Sequence, residues 1–313
     1  MQALFEIVLP VFGVILTGYL ARQNQLLGDA SAEALNRFVY YITIPPLLFL
    51  TTARVPLAEI LNWPFIAVYV LANGLTLLLA VIGARLLFGY RTLSAFTFHA
   101  FAATFSNTVY MGIPLFLAAF GRSGTTPIVV AALVSNLLFI GSAIVCFELG
   151  QAAENGYRRI LRDVGEALLR NPILLPLLAG LLVSYLQFEL PAPIARFLDL
   201  LANAAGPTAL FTLGLTLYGH SVRADLGEML WLVFLKLLAN PLITWALVLY
   251  VLPLEPFWAN SAVLISAIPT GALVFVFAQR YNVFVRQSAA VVVVSTALSL
   301  FTLSALLSQF ADG

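Results

Sequence analysis

Asn107-Thr108-Val109-Tyr110-Met111-Gly112-Ile113-Pro114 interrupts one long apolar run of this chain, and Ser266-Ala267-Ile268-Pro269-Thr270-Gly271 interrupts another. Proline lacks a backbone N–H and its ring clashes with the preceding turn, so each stretch breaks or kinks the helix that carries it. In hydrocarbon the freed backbone groups cost several kcal/mol apiece unless protein or a wet cavity satisfies them. Breaks of this kind therefore belong at a protected, polar place inside a membrane protein.

The composition calls for a membrane. Of 313 residues, 62% are hydrophobic and 9% charged, against roughly 25% charged in a soluble domain. So few charges cannot cover a water-facing surface, and lipid is the solvent that fits. The net charge of +1 gives no sign of a nucleic-acid partner. The single cysteine, Cys146, excludes a disulfide within the chain and a CxxC metal site, and reads as a small buried hydrophobe. The opening MQALFEIVLP has no basic residue before Arg22, unlike a cleaved signal peptide, so the first apolar run is expected to be retained.

A membrane helix needs about 20 mostly apolar residues. Ten runs qualify: 3–21, 35–53, 63–88, 93–119, 126–149, 171–188, 193–218, 227–251, 257–279 and 287–308. The expected fold is an all-α polytopic membrane protein of ten transmembrane helices. The polar stretch 151–170 divides it into a first five-helix repeat, 1–150, and a second, 171–313. An odd number of spans per half inserts the second half upside down, the inverted-repeat plan of many secondary transporters. The two breaks lie in spans four and nine, each the fourth of its half. Pro45-Pro46 and Gly206-Pro207 match in the same way in spans two and seven. Odd-numbered loops and the adjoining helix ends hold Arg22, Arg37, Arg85, Arg91, Arg158, Arg159, Arg162, Arg170, Arg223, Arg280 and Arg286, and even-numbered loops only Arg54, Arg122 and Arg196. Basic residues accumulate in the cytoplasm, which puts both termini outside.

Broken helices four and nine, crossing at the midplane, would aim half-helix N-termini at one point. Each carries roughly half a positive charge and unpaired N–H groups, an anion site that needs no Lys or Arg. The expected lining is Asn107, Thr108, Gly112 and Pro114 at the first break and Ile268, Pro269, Thr270 and Gly271 at the second. The Asn107 amide can donate to a carboxylate or to a freed carbonyl. Asn136, in span five, divides evenly between a site role and helix–helix hydrogen bonding, and Ser135, like Thr108, Ser266 and Thr270, taken alone more often serves only such bonding. Lys236 is about two turns inside span eight. Snorkelling to the interface is the simple account, and pairing with a transported anion the alternative. Glu6 and Glu148 sit near span ends, within reach of interfacial water. His99 and His220 have no second His or carboxylate at ligand spacing, so no metal site is expected. With no carboxylate near either break, an anion moves downhill or is coupled to an ion held by carbonyls and hydroxyls. No cofactor is expected, and a coupling Na+ or H+ is left open.

Four stretches resemble the auxin efflux carrier family, which includes the plant PIN carriers and bacterial relatives. Asn36-Arg37-Phe38-Val39 with Pro45 and Leu47-Leu48 is similar to the family's second helix. Asn107 to Leu115 is similar to its fourth, Ser135-Asn136 with Phe147-Glu148 to its fifth, and Ile268-Pro269-Thr270-Gly271 with Val274 to Ala278 and Tyr281-Asn282-Val283 to its ninth. The resemblance implies a scaffold part from spans one, two, six and seven, with Asn36, Pro45 and Pro207 on its side. It also implies a transport part from spans three to five and eight to ten, a homodimer and an elevator-type movement. The implied substrate is a small organic anion, an auxin-like acid or a dicarboxylate, crossing a bacterial inner membrane, a branch that the short connector fits. Plant carriers set an acidic residue and a lysine four apart in span three. Here Asn73 and Leu77 take those places, which leaves Asn73 and Lys236 as support for the site.

Two other classes compete with a carrier. An intramembrane enzyme finds no HExxH, no GxGxxG and no paired catalytic carboxylates in the spans. A channel or non-transporting sensor on the same fold is not separated from a carrier by sequence.

Overall fold

A computed structural model describes residues 9–55, 60–151, 172, 174–218 and 225–311. The first spans give α1 (Leu9–Gln23), α2 (Asp29–Phe38), α3 (Ile44–Ala53) and α4 (Trp63–Leu86). Span four divides into α5 (Leu93–Thr104) and α6 (Ile113–Phe120), and span five into α7 (Thr126–Val134) and α8 (Gly141–Gln151). The second half holds α9 (Leu174–Tyr185), α10 (Ala192–Leu217), α11 (Leu226–Phe234) and α12 (Asn240–Tyr250). It ends with α13 (Pro256–Ser266), α14 (Leu273–Tyr281) and α15 (Val285–Ala311). Each predicted run holds helix among its described residues, with the runs 93–119 and 257–279 interrupted by non-helical backbone. Among the described residues, five uninterrupted stretches, 24 to 26 residues long, are apolar enough to cross a membrane. The chain is an all-helical, multi-pass membrane protein. The connector beyond Gln151, Glu6 and His220 lie outside the described residues.

α4 shows what lipid asks of a helix. Leu71, Leu75, Leu78, Leu79, Ile82 and Leu86 are exposed, and their three- and four-residue spacing puts them on one stripe. The opposite stripe buries Phe65, Tyr69, Asn73 and Thr76. The apolar residues face out and the polar ones in, the reverse of a soluble surface helix.

Prolines at mid-span are accommodated by widened turns. A proline ring clashes with the carbonyl four residues back. For Pro45, Pro46, Pro114 and Pro241 those carbonyls belong to Tyr41, Ile42, Tyr110 and Leu237. Each of these lies inside a π-helical turn: Val39–Thr43, Thr108–Gly112 or Leu235–Ala239. The wider turn relieves the clash at the cost of regular hydrogen bonding. Two sequence expectations shift as a result. Span two is continuous from Asp29 to Ala53 through its π turn, and α10 runs unbroken through Pro207. Pro114 sits in the first turn of α6, where its missing donor is harmless. The break itself falls earlier, at Phe105 to Asn107.

The chain forms two compact units. One contains Met1–Asn62, Thr108–Leu133 and Arg170–Gly219, the other Trp63–Asn107, Val134–Leu169 and His220–Gly313. The boundaries run through spans four and five, so residues 108–133 group with the first unit, apart from the rest of both spans.

In the first unit, α1 and α10 touch backbone to backbone. A Cβ on Gly18 would overlap the Phe211 carbonyl, and one on Gly214 would overlap the Ile15 carbonyl. Small residues permit this approach, and dispersion rewards it. Gly214→Leu is expected to destabilise the protein by about 1–3 kcal/mol, lowering its thermal midpoint in detergent by roughly 3–10 °C. Scanning fluorimetry on the purified variant checks it. In the same unit Arg54 grips Asp199 with both guanidinium nitrogens, at 3.0 and 2.8 Å, and Arg122 joins at 2.5 Å. The hydrogen bond to Asp199 is the main cause that holds the Arg54 guanidinium above its ordinary pKa.

The second unit has an aromatic core. Phe98, Phe101, Phe105, Phe147, Phe277 and Tyr281 pack with Met229, Leu232 and Leu235. This core seats α5, α8, α11 and α14 around the two breaks.

Candidate functional site: a crossover of two broken helices

α5 ends at Thr104, and Phe105 turns to extended backbone with φ −75° and ψ 106°. α13 ends at Ser266. The loose ends pair as a two-residue antiparallel bridge, Ser106 opposite Thr270. Asn107 N–H donates to the Pro269 carbonyl at 2.8 Å, and Gly271 N–H donates to the Phe105 carbonyl at 2.9 Å. A proline must stand where only a carbonyl is needed, and Pro269 supplies one. Gly271 must be small, since a Cβ there would lie 2.7 Å from the Phe105 ring.

The half-helices also leave orphan carbonyls at their C-termini. Each break caps the other. Thr270 Oγ1 donates to the Ala102 carbonyl of α5 at 2.9 Å, and Ser106 Oγ to the Ile265 carbonyl of α13 at 3.4 Å. Thr270 N–H donates to Ser295 Oγ on α15 at 3.2 Å. The exchange is reciprocal, and every one of these residues is buried.

Lys236 completes the cap. Its side chain is 0% exposed, and Nζ donates to the Ser266 carbonyl at 2.8 Å. This corrects the snorkelling expectation: the ammonium turns inward and sits at the negative end of a half-helix. Among the described residues no carboxylate forms an ion pair with Lys236. Ammonium has three donors, and Ser266 takes one.

Asn107 is the second unusual group. Its side chain is buried, 4% exposed, and Nδ2 has no hydrogen-bond partner among the described residues. Buried amides are nearly always paired, so a bare one beside a broken helix invites a ligand.

The other predicted residues distribute as follows. Ile268, Pro269, Thr270 and Gly271 are all in the crossover. Thr108, Gly112 and Pro114 are buried in the first unit, where Asn36 accepts a hydrogen bond from the Tyr110 hydroxyl. Pro45 and Pro207 are in that unit too. Ser135 and Asn136 are buried on the π turn Ser135–Ile140 of the second unit, and Ser135 bonds the Tyr69 hydroxyl at 2.8 Å. Asn73 donates to the Tyr69 carbonyl at 2.8 Å and accepts from Asn240 Nδ2 at 3.3 Å. Ser106, Asn240 and Ser295 were not foreseen. The signal for Asn240 is in the sequence: Asn240-Pro241 lies mid-span in span eight, the third of its half, as Asn73 lies in span three.

Two further expectations change. Glu148 does not reach water freely; it is 8% exposed and accepts from the Tyr281 hydroxyl at 3.0 Å. His99 does have a carboxylate partner, Glu228, at 2.9 Å, across 129 residues of sequence that no local spacing reveals. A buried carboxylate therefore stands in the unit that carries the crossover.

Comparison with known proteins gives a consistent picture. The family described as membrane transport protein matches residues 3–307. A Rhizobium meliloti (strain 1021) protein named "Putative malonate transporter" is 31% identical over 318 residues, 100% of this chain and 98% of that one. The mouse "Lysosomal cholesterol signaling protein" is 28% identical over 323 residues, 95% of this chain and 36% of its own length. The rice "Probable auxin efflux carrier component 1b" is 32% identical over 132 residues, 40% of this chain and 24% of that one.

Proposed function

This chain belongs to the membrane transport protein family, which includes auxin efflux carriers, and we propose that it is a secondary carrier for a small organic anion, a dicarboxylate such as malonate. The observation that carries this reading is the fully buried Lys236 amino group at the crossover, with no carboxylate paired to it among the described residues. An ionised side chain inside a membrane is costly and marks an ion or substrate path by default. A carboxylate substrate supplies the missing countercharge. Asn107 Nδ2 offers it a second donor, and α14, starting just past the bridge at Leu273, offers a helix N-terminus. The relative named for malonate supports a dicarboxylate.

The reading extends to architecture. Ten spans form two inverted five-helix repeats, and the reciprocal capping of the breaks supports that symmetry. Spans one, two, six and seven act as scaffold, and the unit holding the crossover carries substrate across by an elevator movement. The grouping into two units supports this division except at residues 108–133 of spans four and five, which group with the scaffold spans. The protein works as a homodimer in a bacterial inner membrane with both termini outside.

Reconstituted protein is expected to take up radiolabelled malonate saturably and to show counterflow against internal malonate. Flux that rises linearly with concentration and shows no counterflow would identify a channel, and absence of flux a sensor.

A further inference from the structure

Asn240, in span eight, holds a buried acceptor without a donor among the described residues. Its neighbour fixes which atom that is. Asn73 Nδ2 donates to the Tyr69 carbonyl at 2.8 Å. A carbonyl only accepts, so the Asn73 amide keeps its nitrogen there and turns Oδ1 toward Asn240. Asn240 answers with Nδ2, at 3.3 Å. Its own Oδ1 is left over. Thr244 Oγ1, one turn on, donates to the Asn240 main-chain carbonyl instead, at 2.8 Å. Pro241 has no N–H to give. Asn240 is fully buried, and a buried side-chain acceptor without a donor is uncommon.

This acceptor shares a helix face with Lys236. Asn240 follows Lys236 by four residues in one uninterrupted helical stretch, Leu226–Tyr250. Residues so spaced are neighbours, with Cβ atoms about 5–6 Å apart. Both are fully buried, as is Thr244, while Leu238, Leu242 and Leu249 on the other face are exposed. Span eight thus presents the crossover's amino group and, a turn later, a bare carbonyl oxygen. Lys236 also limits the charge of a guest. It is the one buried lysine or arginine among the described residues, and it supplies at most one positive charge. A dianion would keep one buried charge unmatched, which is costly. A metal cation on Asn240 Oδ1 would be repelled by an ammonium a turn away. A neutral donor meets the acceptor without either cost.

We propose that the site takes its substrate as a monoanion with a hydrogen-bond donor at the far end, which for a dicarboxylate is the half-protonated form. The carboxylate meets Lys236, and the acid O–H donates to Asn240 Oδ1. Asn240 is then a specificity-determining residue. The inference rests on the carrier reading above.

The test uses the whole protein in liposomes loaded with malonate, with equal pH on both sides. Malonamate has one carboxylate and an amide N–H in place of the acid O–H. Monomethyl malonate has an ester there and no donor. Both stay monoanions as pH rises. Malonamate is expected to inhibit uptake of labelled malonate at concentrations about tenfold or more below those of monomethyl malonate. The KM of malonate divided by the inhibition constant of malonamate is expected to rise about tenfold per pH unit above the second ionisation of malonic acid. Titration of the protein itself cancels in that ratio. Asn240→Leu removes the acceptor and is expected to bring the two analogues within about threefold of each other. Asn73→Leu combined with Asn240→Leu, which leaves neither amide unpaired, is expected to do the same, so poor assembly of one variant leaves the other to decide. Equal inhibition by the two analogues in the wild type, or a ratio that stays flat with pH, overturns the proposal and leaves the carrier intact. A preference that survives in either variant reflects the size of the ester and also overturns it. No malonate counterflow in the wild type overturns the carrier reading, and this inference with it.

Discussion

Lys236→Gln is expected to lower malonate transport by about 10- to 100-fold while the protein still assembles. A hydrogen bond to a charged group is worth about 1.5–3 kcal/mol, and each 1.4 kcal/mol is about tenfold in affinity. Glutamine is shorter and uncharged, yet its amide can still donate toward the Ser266 carbonyl, so the C-terminus of α13 keeps a cap. The variant also relieves a buried charge that has no carboxylate partner among the described residues. Its thermal midpoint should therefore hold or rise as transport falls. Counterflow rates and scanning fluorimetry on the same preparation separate the two effects. A fall in both together would assign Lys236 to the fold alone.

Asn107→Ala is expected to reduce transport by about tenfold or more with little change in stability. The backbone N–H that pairs with Pro269 survives the substitution. The side-chain Nδ2 has no partner among the described residues, so no such bond within the protein is lost with it. What disappears is a buried donor available to a ligand, worth about 1–3 kcal/mol when left unmatched. A rise in KM with kcat unchanged would mean that Asn107 binds substrate equally throughout the cycle. Wild-type kinetics would remove it from the site.

Much of this was legible in the sequence because membrane helices advertise their irregularities. Pro269 and Gly271 stand out in an apolar run, and both do in the structure what their chemistry suggests: one gives a bare carbonyl, the other a gap for Phe105. The first break lies earlier in the chain than Pro114 suggests. Pro114 is the conspicuous residue, but a π turn absorbs it, and the extended backbone falls at Phe105 to Asn107, where no proline marks it. Lys236 departs from the snorkelling expectation for a related reason. Its depth in span eight is readable, but whether its stem turns outward or inward depends on where Ser266 lies, thirty residues away. The His99–Glu228 contact is set by tertiary packing, and sequence spacing carries no trace of it. Local chemistry announces breaks and caps; the partners that satisfy them come from the fold.

Lys236 is the only lysine in the sequence, so protein grown on lysine labelled with nitrogen-15 at Nζ has one side-chain ammonium to observe. Adding malonate to such protein in nanodiscs should move that resonance saturably, with a midpoint that matches the concentration dependence of counterflow. A resonance that stays fixed while malonate exchange proceeds would show that the substrate is held elsewhere.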